Sequence, residues 1–173
     1  MPVAPTVQSL HAEHGAFVWR ALFRLGVRSN DLEDMLQEVF VVVHRRLDSY
    51  DPNVKATTWL FGICLRVASD YRRRLRRKPE AALPEGAVES LHARGASPEE
   101  HLARREAQRA MELALDALDD DKRAAFVLFE LEQMPCDAIA ELLGIKVGTV
   151  YSRLHAARAE FRAALLAQKG SAR

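Results

Sequence analysis

Apolar residues recur at three- and four-residue intervals along most of the chain, and strict alternation is rare. In residues 32–47 they form one helical stripe, although Val39–Val43 alone could pass for a strand. This spacing is typical of amphipathic helices, so we expect an all-α fold. The predicted helices span residues 6–25, 29–47 with Asn30 or Asp31 as cap, 55 or 57 to 77, 98–118, 120–133, 135–143 and 147–167.

The stripe is interrupted in residues 78–98, which contain three prolines and two glycines. Proline and glycine at this density are typical of loops and linkers. The sequence therefore predicts two small helical domains, residues 6–78 and 99–168, joined by a flexible linker at 79–98. Each domain would hold three or four helices.

The chain has 173 residues and a net charge of only +1, but the charge is unevenly distributed. Residues 1–79 carry 13 Lys and Arg against 8 Asp and Glu, residues 80–143 carry 6 against 15, and residues 144–173 carry 6 against 1. Two basic segments therefore flank an acidic one, which suggests two places that could meet a polyanion. No apolar run approaches the roughly 18 to 20 uncharged residues of a membrane span, and we expect a cytoplasmic protein.

Residues 135–165 carry the pattern of a helix-turn-helix. Ala140 is small enough for two helices to cross closely, and Gly144 can adopt the positive φ of a short turn. The second helix would pack inward through Val150, Leu154, Ala157 and Phe161. Its other face would present Tyr151, Ser152, His155 and Arg158 to a DNA major groove. An ordinary solvated helical hairpin is the alternative, but after Gly144 the sequence holds a single carboxylate, Glu160.

An aromatic-bearing segment at residues 57–70 leads into six Lys or Arg among the eight residues 71–78. Aromatic rings beside a cationic track can hold unpaired bases. Core packing is the alternative for the rings of Trp59 and Phe61. Four acids, Asp31, Glu33, Asp34 and Glu38, cluster in the preceding helix. They favour the dipole at a helix start or dock to a basic partner helix, and the sequence leaves both explanations open.

The segments DLEDMLQEVF, TTWLFGICLRVASDYRRR and GTVYSRLHAAR occur in this order around the linker. Together they resemble the extracytoplasmic-function (ECF) group of bacterial RNA polymerase sigma factors. The resemblance implies a region 2 domain and a region 4 domain that bind core RNA polymerase and direct it to promoters, with no enzymatic activity. It also implies an anti-sigma protein as a partner.

The resemblance assigns three sets of residues. The polymerase set, expected to meet the clamp coiled coil, is Asp34, Gln37 and Glu38. The minus-10 set, expected to bind melted promoter DNA, is Tyr50, Asn53, Lys55, Thr58, Arg66, Asp70, Arg73, Arg74 and Arg77. The minus-35 set, expected to bind duplex DNA, is Lys146, Thr149, Tyr151, Ser152, Arg153, His155 and Arg158. The helix predicted from Asp119 to Gln133 and its neighbours would meet the polymerase flap.

Two other classes of function compete with this interpretation. A dimeric helix-turn-helix regulator would explain residues 135–165, but it needs neither the arginine-rich helix nor the acidic one. A metal site could use His11 and His14, yet Cys64 and Cys136 stand singly and no further ligands have suitable spacing. We therefore expect no metal and no cofactor, and we expect both cysteines to be buried.

Overall fold

The computed structural model of the protein describes residues 5–77 and 97–171, with side chains except at positions 98 and 169–171. Within these ranges every regular element is helical, which confirms the all-α prediction. The α-helices are α1 (Val7–Arg24), α2 (Leu32–Arg46), α3 (Ala56–Arg77), α4 (Pro98–Asp116), α5 (Asp120–Phe126), α6 (Cys136–Leu143) and α7 (Val147–Ser171). The two described ranges belong to separate compact units. The predicted linker lies outside the described residues, except for Ser97 and Pro98.

The amino-terminal unit is a three-helix arrangement in which α1, α2 and α3 pack pairwise against one another. A capping box starts α1, since Thr6 Oγ1 accepts from the Ser9 amide and Ser9 Oγ accepts from the Thr6 amide. The apolar stripes of the three helices supply the core, which includes Val18, Leu22, Leu32, Val39, Val43, Leu60, Phe61 and Cys64. Burial of these side chains is the main force that holds three otherwise marginal helices together.

A hydrogen-bonded tyrosine joins the far end of α3 to the start of α2. The Tyr71 hydroxyl donates to Asp31 Oδ2 at 2.6 Å and accepts from the Arg28 amide at 3.4 Å. Burial of the ring and then the bond to Asp31 raise the pKa of Tyr71 to about 12. Tyr71 immediately precedes the run of arginines, so this contact fixes where that run leaves the core.

The start of α2 differs from the prediction. Residues Ser29–Asp31 form a 3-10 turn, and α2 begins at Leu32. Asp31 makes no side-chain capping bond. Its carboxylate instead bonds to a hydroxyl 40 residues away in sequence, and this tertiary contact replaces the local cap that the sequence suggested.

The carboxy-terminal unit comprises α4 to α7, with α7 packing on α4, α5 and α6. Ser97 and Glu100 form a capping box at α4, and Asp119 caps α5 by accepting from the Lys122 amide at 2.8 Å. That amide bond is the main reason why the pKa of Asp119 lies below its usual value. Gly144 ends α6 with φ of 66°, as the turn prediction required.

The helix predicted for 120–133 is shorter and less regular than expected. After Phe126 the chain widens into a five-residue π-helix, Val127–Leu131, and Gln133 then adopts a positive φ of 55°. The apolar pattern continues through this segment, so periodicity alone could not reveal the change. The helix predicted for 147–167 is longer than expected and extends to Ser171.

Cys64 and Cys136 are both buried, as predicted. In the described ranges no helix offers an apolar stretch that could cross a membrane. Among the same residues, no group of three or more His, Cys, Asp or Glu side chains is placed to hold a metal ion.

Candidate nucleic-acid interface

Helix α7 has one buried face and one exposed face. Val150, Leu154 and Ala157 are at most 2% exposed, as predicted for the inward positions. Phe161 is only half-buried and stacks on Phe126 with ring centroids 4.7 Å apart. The opposite face presents Tyr151, Ser152 and His155, all exposed. An exposed face of hydroxyl and imidazole groups on the second helix of a helix-turn-helix suits base edges in a major groove.

Two side chains on this face already have partners within the unit. Ser152 Oγ donates to the Thr149 carbonyl at 2.9 Å, so in this arrangement its lone pairs are available to accept from a base amino group. The pKa of Tyr151 is raised, first by the charge that the neighbouring Cys136 thiol can acquire and then by a hydrogen bond with that side chain. The phenol of Tyr151 therefore has a partner within the unit in the Cys136 side chain.

The cations flanking this face are paired with carboxylates of α5 and of the π-helix. Arg153 Nη2 lies 2.5 Å from Asp121 Oδ2, and Arg158 Nε lies 2.7 Å from Glu130 Oε1. Lys146, by contrast, stands exposed in the turn before α7, and Thr149 is half-buried. The minus-35 set is therefore brought together along one helix and its preceding turn, but its members differ in how free they are to meet a phosphate.

Helix α3 carries a second exposed cationic face. Arg66, Asp70, Arg73 and Arg77 are exposed and follow one another at three- and four-residue steps along this face. Asp70 forms an ion pair with Arg73, so one cation of the track is partly neutralised. The opposite side of α3 is buried through Ile63, Val67 and Tyr71.

The loop before α3 is held by its own side chains. Asp51 Oδ1 accepts from the backbone and the side-chain amides of Asn53, each at 2.9 Å, and these two bonds support a turn at Asp51-Pro52. The Tyr50 hydroxyl donates to the Val54 carbonyl at 2.8 Å. Lys55 is exposed at the end of this loop, and Thr58 is half-buried in the first turn of α3. The loop members of the minus-10 set are thus next to the cationic face.

The aromatic residues of α3 have different environments. Phe61 is 1% exposed and belongs to the core, but Trp59 is only half-buried and lies 4.9 Å from the Tyr50 ring, centroid to centroid. Side chains four positions apart on a helix differ in direction by about 40°. In the series Tyr71, Val67, Ile63 and Trp59 this difference accumulates, so that position 59 no longer faces the core. Trp59 therefore joins the loop to the exposed face, which the sequence did not distinguish from core packing.

On α2, the polymerase set lies opposite the buried stripe. Asp34 and Gln37 are exposed, and Glu38 is half-buried. Glu38 Oε2 lies 3.3 Å from Arg74 Nη2, so one acid of this set pairs with one cation of the minus-10 set. Part of the acidic cluster is thus matched by a basic helix of the same unit.

Comparison with known proteins identifies the family. The model for Sigma-70 region 2 matches residues 10–78, and that for Sigma-70 region 4 matches residues 108–161. The ECF RNA polymerase sigma factor SigW of Bacillus subtilis is 30% identical over 153 residues, which cover 84% of this chain and 81% of SigW. The chain belongs to the ECF RNA polymerase sigma factors. SigE of Mycolicibacterium smegmatis is 35% identical over 160 residues, covering 91% of this sigma factor but only 61% of SigE.

A solved structure of CnrH in complex with the cytosolic domain of CnrY superposes on this sigma factor with a TM-score of 0.62 and 28% sequence identity. The match covers 93% of this chain and 88% of CnrH.

The exposed face of α2 also includes an apolar residue that the sequence pattern did not single out. Val41 is 48% exposed and lies on the same face of α2 as Asp34, Gln37 and Glu38. A helical projection of residues 32–47 places Val41 opposite the apolar stripe, so the sequence could have indicated that it is exposed. The β-branched run Val39–Val43 hides this position unless it is placed on a helix.

Proposed function

We propose that this sigma factor binds core RNA polymerase, reads promoter DNA with α3 and α7, and starts transcription at specific promoters. The observation that carries the proposal is the division of α7 into a buried apolar face and an exposed face holding Tyr151, Ser152 and His155. The exposed cations of α3 in the other unit add a second DNA-binding face. The chain itself performs no catalysis in this proposal, and it acts in the cytoplasm with its polymerase.

Run-off transcription with purified components tests this function. Core enzyme, the full chain and a library of promoter fragments are combined, and core enzyme alone is the control. Transcripts with defined starts that require the added chain are expected. If core enzyme alone gives the same transcripts, or if the library yields none, the proposal is wrong.

The exposed face of α2 is proposed to contact the polymerase clamp. Glu33 offers a matched control for Asp34, because both are exposed acids in the first turn of α2 and interact similarly with the helix dipole. Substitution of Asp34 or Gln37 by alanine should weaken binding of core polymerase, while Glu33→Ala should not. Equal losses for Glu33→Ala and Asp34→Ala, accompanied by equal losses of helicity, would support the dipole explanation instead. Val41→Ser tests whether the exposed valine belongs to the same contact.

The α3 face and the loop at residues 50–55 are proposed to bind the melted strand at the minus-10 element. Contacts of this kind combine cations for phosphates with surfaces against which bases stack. Arg66→Ala should weaken binding of the reconstituted holoenzyme to a template with a premelted minus-10 segment. Arg20→Ala, on the exposed side of α1, makes the same change of charge and should have little effect.

The reading of the minus-35 element is proposed to use Tyr151, Ser152 and His155. A well-placed base contact contributes about 1 to 3 kcal/mol of discrimination, whereas a phosphate contact affects all sequences alike. Replacing Ser152 or His155 should therefore change which bases the holoenzyme selects from a randomised upstream element. Unchanged selection by both variants would contradict this orientation of α7.

Two contacts with other proteins complete the proposal. The segment from Asp119 to Gln133 is proposed to meet the polymerase flap, together with its neighbours. An anti-sigma protein is proposed to regulate the chain, and the solved complex of CnrH with the CnrY cytosolic domain supports a protein partner of this kind. Copurification from the native host separates the possibilities, since core polymerase, a small regulatory protein or neither would accompany the tagged chain.

A further inference from the structure

The two arginines on the flanks of α7 are held in different ways. Arg153 uses a terminal nitrogen, Nη2, for its bond to Asp121, and its side chain is 23% exposed. Arg158 uses Nε for its bond to Glu130, and its side chain is 50% exposed. A phosphate therefore has less access to the remaining N–H donors of Arg153, because its side chain is the more buried of the two. Arg158 can meet a phosphate without giving up its carboxylate, since its two terminal nitrogens carry four further N–H donors.

Arg158 is held from a second side by an aromatic ring. The central carbon of its guanidinium group lies 5.2 Å from the centroid of the Phe129 ring, within the range of a cation–π contact. Glu130 is the next residue in the chain, and both residues belong to the π-helix Val127–Leu131. Single π turns of this kind occur frequently at functional sites. Here the widened turn places two neighbouring side chains against one arginine.

We propose that Phe129 and Glu130 are positioning residues that hold Arg158 ready for a DNA phosphate. The proposal rests on the proposed function, because it requires α7 to bind duplex DNA. An arginine side chain has many rotamers, and the loss of this freedom on binding opposes affinity. An arginine whose guanidinium group is already fixed by a ring and a carboxylate loses less rotamer freedom when it binds. The phosphate contact of α7 then depends on residues that do not themselves touch DNA.

Binding of the full chain to a random-sequence DNA duplex tests the proposal at several salt concentrations, because phosphate contacts do not depend on sequence. Arg158→Ala should weaken binding and lower the salt slope by about one unit. Phe129→Leu and Glu130→Ala should each weaken binding about two- to fivefold, as expected for contacts of this strength. In the Arg158→Ala background neither substitution should cause a further change. Glu130→Gln keeps a hydrogen-bond acceptor and should recover part of the affinity lost in Glu130→Ala.

The controls separate positioning from simple electrostatics. Glu106→Ala removes one negative charge from the exposed side of α4 and should not weaken binding. Tighter binding by Glu130→Ala would show that Glu130 competes with DNA, and it would overturn the proposal. Losses that persist in the Arg158→Ala background would also overturn it, because they would reflect a general disturbance of the fold. Run-off transcription by the unsubstituted chain tests the proposed function separately, so it can succeed while the positioning role fails.

Discussion

Replacement of Tyr71 by phenylalanine isolates the hydrogen bond between α3 and the start of α2. The ring is 6% exposed and would remain in place, whereas the 2.6 Å bond to Asp31 Oδ2 would be lost. Hydrogen bonds to charged groups contribute about 1.5 to 3 kcal/mol when buried. Because Asp31 is only half-buried and water can replace the phenol, we expect the free energy of unfolding to fall by about 1 kcal/mol.

Burial of the Tyr71 ring, and then the same bond, make stability depend on pH in the alkaline range. The folded unit holds the Tyr71 proton up to about pH 12, whereas an unfolded tyrosine releases it near its ordinary value of 10.0. Between these values the unfolded state binds fewer protons, so unfolding becomes easier as pH rises. The contribution is complete below the unfolded pKa and is lost as pH rises through the folded one. From about pH 9 to pH 11 this linkage removes about 1 kcal/mol from the native chain, and the phenylalanine variant should not show that loss.

Tryptophan fluorescence during urea unfolding measures this effect in the correct unit, because both tryptophans, Trp19 and Trp59, lie in the amino-terminal unit. Tyr50→Phe is the matched control. The Tyr50 hydroxyl bonds to an exposed carbonyl in a loop, so the free energy of unfolding of this variant should change by no more than about 0.5 kcal/mol. Equal stability of the native chain and the Tyr71→Phe variant at neutral pH would refute the reasoning. So would identical losses of stability in the two proteins at alkaline pH.

Three further predictions concern the stability of the carboxy-terminal unit. Its unfolding is followed by the loss of helical circular dichroism, while unchanged tryptophan fluorescence shows that the amino-terminal unit is still folded. An added Cβ would meet nothing within 4 Å at Gly144 or at Gly148, so backbone conformation decides the effect of alanine at each site. Gly144→Ala should lower the free energy of unfolding by about 1 kcal/mol because Gly144 has a positive φ. Gly148→Ala, inside α7, should raise the free energy of unfolding by about 0.5 kcal/mol. Leu128→Ala should cost about 2 to 5 kcal/mol, because Leu128 is 0% exposed, while Leu102→Ala, at 60% exposed, should change little. Because the pKa of Asp119 is lowered in the folded unit, its cap stabilises α5 fully above the ordinary carboxyl pKa. This stabilisation is lost as pH falls through the folded pKa. The stability of Asp119→Asn should therefore fall less in acid than that of the native chain.

Helices α1, α2 and α3 were predictable because their apolar residues recur at helical spacing and are buried. The inward positions Val150, Leu154 and Ala157 followed from spacing alone, and Gly144 followed from the needs of a tight turn. The 3-10 turn at Ser29–Asp31 was not predictable in this way, because it is coupled to Tyr71, 40 residues further along the chain. A local capping rule competes there with a tertiary hydrogen bond, and the tertiary contact prevails.

The π-helix illustrates a second limit of periodicity. Val127 and Leu128 are buried and continue the apolar run of α5, so the pattern gives no warning that the turn widens. The wider turn brings Phe129 and Glu130 against Arg158. These residues lie 29 and 28 positions before Arg158 in the chain. The residues of the candidate site could thus be named from the sequence, but the groups that hold them could not.

The segregation of charge along the chain has an explanation that reaches beyond DNA. In the carboxy-terminal unit the acidic segment folds against the basic one, since Asp121 pairs with Arg153 and Lys122 pairs with Glu160. A count of cations after Gly144 therefore overstates the charge that α7 offers to phosphates. Weak attraction for any one stretch of duplex suits a protein that must choose among many sites, since phosphate contacts add affinity without sequence information. In the proposed function, selectivity comes from base contacts of α7. Sufficient affinity comes from a second DNA-binding unit held on the same polymerase, which raises the effective concentration of each unit for its own element.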